Sequence, residues 1–274
     1  MYCEILKIVR RKEYFIIATL LLVSVLLDFY FTCSEYKDCV LSKVPSAYQM
    51  TVLSNKDNIF HIFFGSFLFF VIPNLLAVPL LAEEKDCRIC HFTFTRTKAM
   101  TYIKKQIFAI AFVSFITVWI SLMISLLLSI SAFPLQGYFT EVTAHNRLMN
   151  PDPNRLFSYL YRYYPYINII VLITLRAVIA SVNAFLSCAL LITNRLPGFV
   201  CMMAPMIIFV IYSVITEAIT LHISDVRWFS IVGTYMLPMN RAGSEVVIAL
   251  YFLTELFIGI WIIKRGMKRD SLVL

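Results

Sequence analysis

The chain has 274 residues, 60% of them hydrophobic and only 15% charged, whereas soluble domains carry about a quarter charged residues. That balance makes a poor fit to a water-soluble enzyme or binding domain, and no long polar stretch remains that could form a separate one, so residues 1–274 read as a single membrane domain. The formal charge of +8 would hint at nucleic acid in a soluble protein, but here the cations sit at the ends of apolar runs, where they set topology and meet lipid headgroups; no nucleic-acid partner is expected.

The N-terminus, "MYCEILKIVRRKEYFIIATLLLVSVLLDFYF", joins a basic amphipathic segment to an apolar run and lacks a convincing small-x-small cleavage site. It reads as an uncleaved anchor. Six runs are long enough, or nearly so, to cross a bilayer as helices: Tyr14–Tyr30, Ile59–Leu81, Ile107–Ala132, Ile167–Ile192, Phe199–Thr220 and Val246–Ile263. The fold class is therefore an all-α integral membrane protein with six transmembrane helices and an N-terminal amphipathic segment. Segments alternating along the chain hold 15 and 8 Lys/Arg, with Arg176 left inside a span. By the positive-inside rule the 15 lie in the cytoplasm, which places both termini and residues 82–106 there, in a multi-pass protein of the cell membrane.

Pro73 and Pro79 are expected to bend the second span, "FFVIPNLLAVPLLAEE". After it comes "EEKDCRICHFTFTRTKAMTYIKKQI", in which Phe92, Phe94, Met100, Tyr102 and Ile103 are interspersed among Arg96, Lys98, Lys104 and Lys105. Two readings of this stretch stand: an amphipathic element along the inner membrane face, or a docking element for a soluble partner. Cys87 and Cys90 form a lone CxxC with no second pair, so neither zinc nor redox chemistry is expected of them. Cys33 and Cys39 share one outer loop, where a disulfide is open. The outer segment "NPDPNRLFSYLYRYYPY" suggests a short interfacial helix after its Pro-Asp-Pro turn.

Two ionisable residues fall near mid-bilayer. Arg176 is nine residues into the fourth span and Glu255 nine into the sixth, each about 13–14 Å deep by helical rise. Neither should face lipid alone, so they are candidates for a pair or for the lining of a cavity. Small residues in "RAVIASVNAFLS" permit close helix contact, with Asn183 placed to reach across an interface. Asp28 and Glu217 fall near outer helix ends, within reach of water or headgroups.

Taken together, the basic amphipathic start, the prolyl span ending "IPNLLAVPLLAEE" and the following "FTRTKAMTYIKKQIFAIAF" resemble the permease subunits of the ABC-2 type exporter family. The resemblance implies six membrane helices, a second permease subunit, identical or homologous, and a pair of cytosolic ABC ATPases gripped by the N-terminal helix and the loop after the second span. Its coupling positions would be Glu83, Glu84, Arg88, Arg96, Tyr102 and Lys105. No GxxxxGK[ST] loop is present, so ATP and Mg²⁺ would be held by the partner, and this chain is expected to carry no catalytic residue, cofactor or metal. The cargo class that suits Tyr-, Arg- and Phe-rich outer loops is amphipathic: peptide-like, lipid-like or drug-like.

Other readings stand beside this one, a channel or ion-coupled carrier among them. A non-transporting sensory or immunity subunit would account equally for the large outer loops. "EEKDCR" also matches the EExxxR signature of the intramembrane CAAX-type proteases, but that chemistry needs an FxxxH partner. His61, His91, His145 and His222 are preceded at four residues by Asp57, Cys87, Glu141 and Ala218.

Overall fold

A computed structural model describes residues 2–39, 44–51, 71, 74, 75, 99–135, 156–193, 197–222 and 245–268. Among these residues the regular structure is helical throughout, with no strand. In chain order the helices are α1 (Tyr2–Val9), α2 (Lys12–Glu35), α3 (Ala99–Ala132), α4 (Ser158–Tyr163), α5 (Pro165–Thr193), α6 (Gly198–His222) and α7 (Glu245–Lys268), with a 3-10 turn at Ala47–Gln49. Five of them, α2, α3, α5, α6 and α7, are long and apolar enough to cross a membrane, which is compatible with a multi-pass membrane protein. The expected second span, residues 59–81, lies outside the described residues except for Val71, Asn74 and Leu75, which are helical.

The helices overrun the apolar runs on which they are built. α2 begins at Lys12 and continues to Glu35, and α3 begins at Ala99 rather than at Ile107. Thus Ala99–Gln106, expected to close the loop after the second span, is instead the first two turns of α3. Lys104, Lys105 and Gln106 are good helix formers, so charge ends the hydropathy signal there without ending the helix. At 34 residues α3 is about 50 Å long, well beyond the ~30 Å hydrocarbon core, and its first turns must project past that core or the helix must tilt.

The exposure pattern of α2 suits lipid rather than water as the surrounding solvent. Ile17, Leu21, Ser24, Val25, Asp28 and Thr32 are buried at helical spacing, while Phe15, Ile16, Leu20, Leu22, Val23, Leu26, Leu27 and Tyr30 are exposed. Its polar groups face the protein and its hydrocarbon faces outward, the reverse of a soluble amphipathic helix.

α5 occupies the centre and packs against α3, α4, α6 and α7. Small side chains let it do so: Ala177, Ala180, Ala184, Ser187, Cys188 and Ala189 are all fully buried, allowing neighbouring backbones close approach. Where no hydrophobic effect separates helix from lipid, such packing and interhelical hydrogen bonds hold the bundle. Trp119 of α3 supplies one by donating to the Thr174 hydroxyl on α5 at 3.3 Å. By contrast α6 is the least buried of the five described spans and presents Phe199, Ile207, Val210, Ile211, Val214 and Ile215 outward. Pro205 interrupts its hydrogen-bond ladder. Nearby, the Asn74 side chain donates to the Met202 carbonyl at 3.1 Å, tying the second apolar run to α6.

At one end of the bundle α1 packs on α2 and α3, and the start of α3 and the end of α7 line a common groove. This is the basic end, with Arg10, Arg11, Lys12, Lys104, Lys105, Lys264 and Arg265. The far end is closed by the segment around Ala47–Gln49. The Ala47 amide donates to the Pro134 carbonyl at 2.8 Å and Ser129 donates to the Met50 carbonyl at 3.0 Å. Tyr166 of α5 donates to the Leu135 carbonyl and lies edge-on to Tyr48. The short helix expected after the Pro-Asp-Pro turn is α4. Phe157, in a left-handed conformation just before it, donates its amide to the Glu245 carboxylate at the start of α7, at 2.9 Å.

Candidate functional site

Where α5, α6 and α7 meet, polar side chains gather inside the bundle. Tyr251 and Glu255 are one turn apart on α7, so they share a face. The Tyr251 hydroxyl donates to Glu255 Oε1 at 2.6 Å. Asn183 of α5, its amide turned so that the nitrogen faces the carboxylate, donates to Oε2 at 2.9 Å and Oε1 at 3.3 Å. Glu255 and Asn183 are both 0% exposed. The Tyr251 ring stands against Phe209 and Tyr212 of α6, at centroid distances of 5.8 and 5.5 Å, so one acid ties three helices together. Arg176 is also buried on α5, seven residues before Asn183, which places it about 10 Å further along the same helix face. The structure thus brings Asn183 and Tyr251 to Glu255, using the interfacial asparagine that the sequence had singled out.

Of the coupling candidates, Glu83, Glu84, Arg88 and Arg96 lie outside the described residues. Tyr102 and Lys105 sit in the first two turns of α3, Tyr102 buried and Lys105 exposed. α1 lies against α3, and Ile8 belongs to the same apolar cluster as Ile103 and Ile107. The N-terminal helix and the entry to α3 therefore form one packed unit at the basic end.

A second polar seam, missed by sequence reasoning, runs between α2 and α3. Ser24, Asp28 and Thr32 repeat every four residues along α2, as Thr117, Ser121, Ser125 and Ser129 do along α3, and all seven are buried. Tyr14 meets Thr117 at 3.5 Å near one end of the seam, and Tyr36 packs on Phe133 at the other. Most of these hydroxyls turn back onto their own helix: Ser24 donates to Leu20, Thr32 to Asp28, Thr117 to Val113 and Ser121 to Thr117 carbonyls. Asp28, expected near water, is only 1% exposed, and its Oδ1 has no hydrogen-bond partner among the described residues. The i, i+4 polar spacing on both helices was the signal that would have found it.

No protein-family model, curated protein or solved structure matches this sequence. Among the described residues no group of three or more His, Cys, Asp or Glu side chains comes together as a metal would require. Cys33 and Cys39 are not bridged to each other, and Cys188 and Cys201 are buried thiols outside any disulfide. What the arrangement offers chemically is hydrogen-bonded helix contacts and two buried acids, one satisfied and one not.

Proposed function

We propose that this chain is the membrane permease subunit of an ATP-driven exporter of the ABC-2 type, with six spans, both termini in the cytoplasm, a second permease subunit beside it and a separate ATPase pair beneath. The supporting observation is the packed unit of α1 with the start of α3. It brings an amphipathic helix, Tyr102 and Lys105 together at the basic end, where a soluble partner on the cytoplasmic side would press. A rigid joint there is what coupling needs, because a partner that pushes on a floppy loop moves nothing else. The partner supplies ATP, Mg²⁺ and hydrolysis. This chain supplies the path and responds by helix movement around α5. Its cargo is an amphipathic molecule that leaves outward.

The test is co-purification of the chain with a nucleotide-binding subunit encoded in a neighbouring reading frame, followed by ATPase rates with and without the permease. Lys105→Glu, on an exposed position, is expected to lower permease-stimulated hydrolysis at least fivefold while leaving the thermal midpoint unchanged. A transport-competent particle without a nucleotide-binding subunit overturns the reading, as does stimulation indifferent both to Lys105→Glu and to removal of residues 2–9.

A further inference from the structure

At the basic end, α3, α5 and α7 do not close on one another. A groove of about 550 Å³ lies between them, within the range of small-molecule sites. Its walls are hydrocarbon, with Ile107, Phe108, Phe185 and Ile260 prominent, and Lys104 and Lys264 stand at its mouth. Phe108 and Ile260 are 55% and 46% exposed, so the groove opens sideways to whatever surrounds the bundle. From Lys104 to Ala111 is seven residues of α3, and from Lys264 to Leu256 is eight of α7. The floor therefore lies about 10–12 Å from the lysines, against a leaflet core of about 15 Å.

Gly259 of α7 lies where a Cβ would collide with the Phe185 ring, so the glycine lets that ring, which lines the groove, lie against the α7 backbone. Hydrocarbon walls at membrane depth do not hold water. Beside the mouth, Arg265 sits over the Trp261 ring at 5.0 Å, an arrangement suited to the headgroup layer.

We propose that the groove is a seat for one anionic glycerophospholipid, an acyl chain lying along Phe108, Phe185 and Ile260 and the phosphate held at Lys104 and Lys264. Charge and depth select this occupant: two exposed ammonium groups mark one end of an otherwise apolar slot, spaced from its floor as a headgroup is from mid-chain. A zwitterionic lipid fills the same slot but carries no net charge for the lysines to attract. Neither transport nor ATPase coupling requires such a seat.

The test is native mass spectrometry of the full chain released from nanodiscs of mixed phosphatidylcholine and phosphatidylglycerol. Wild type is expected to retain one phosphatidylglycerol with a preference of roughly 30-fold, about fivefold for each lysine near an anionic surface. Lys104→Gln/Lys264→Gln, at exposed positions, is expected to retain a lipid without that preference and with an unchanged thermal midpoint. Ala111→Phe, which fills the floor, is expected to lose both lipids. Equal retention of the two lipids by wild type, an unaltered preference in the double glutamine variant, or displacement of the bound mass by inorganic phosphate alone would each overturn the site. So would a dimeric species carrying no lipid, since a second copy would then occupy the groove.

Discussion

Glu255 and Asp28 are both buried acids on membrane-crossing helices, yet their surroundings differ in kind. Glu255 receives donors from its own helix and from a neighbour, and the ring that serves it is braced by a third helix. Around Asp28 the nearby α2 hydroxyls donate to carbonyls of their own helix, and one carboxyl oxygen has no partner among the described residues. Burying a polar group costs little when donors converge on it and several kcal/mol when they do not. The α5–α7 seam is thus a fastening, whereas the α2–α3 seam holds an unspent acceptor. Equal burial conceals opposite energetics.

The contrast is broken most severely by Glu255→Ala. It empties the space and strands both the Tyr251 hydroxyl and the Asn183 amide, with an expected loss of about 3–4 kcal/mol, read as a lowered unfolding midpoint in detergent. Asn183→Leu removes the donor that crosses between helices and is expected to cost about 2 kcal/mol by the same measurement. A double-mutant cycle sharpens the assignment: Asn183→Ala with Glu255→Ala should show a coupling of about 1 kcal/mol or more, exceeding that of Arg176→Ala with Glu255→Ala. Tyr251→Phe keeps the ring contacts with Phe209 and Tyr212 and loses only the hydroxyl, for about 1 kcal/mol. At the other seam Asp28→Asn, which trades the acid for a neutral amide of similar shape, is expected to change stability by less than about 0.5 kcal/mol or to raise it. A large loss at Asp28 would erase the distinction between the two seams.

Much of this was readable from the chain, and the failures have physical causes. Apolar runs located the five described crossing helices, because lipid demands continuous hydrocarbon over a fixed length. Their ends were drawn too short, as at α3, because hydropathy stops at Lys104 and Lys105 while the backbone ladder does not. Glu255 was conspicuous as a charge at membrane depth, and Asn183 stood out as a polar group on a small-residue face. Counting rise from each span's outer end set Glu255 level with Arg176, but that arithmetic ignores how helices are staggered and so gave no hint that Asn183 stands beside Glu255. Asp28 was read as wet because it lies close to a helix end. The segment that covers this end, Ala47–Gln49 and its neighbours, is held by Pro134, Ser129 and Tyr166, and contacts across such sequence distances leave no periodic trace.

The unbroken length of α3 has a mechanical corollary. From Tyr102 to Ser129 is 27 residues, a lever arm of about 40 Å. A rod that pivots by about 10° at one tip sweeps the other through roughly 7 Å. Ser129 donates directly to the Met50 carbonyl, so a tilt of α3 about its first turns would be carried to the Ala47–Gln49 cover at the far end of the bundle.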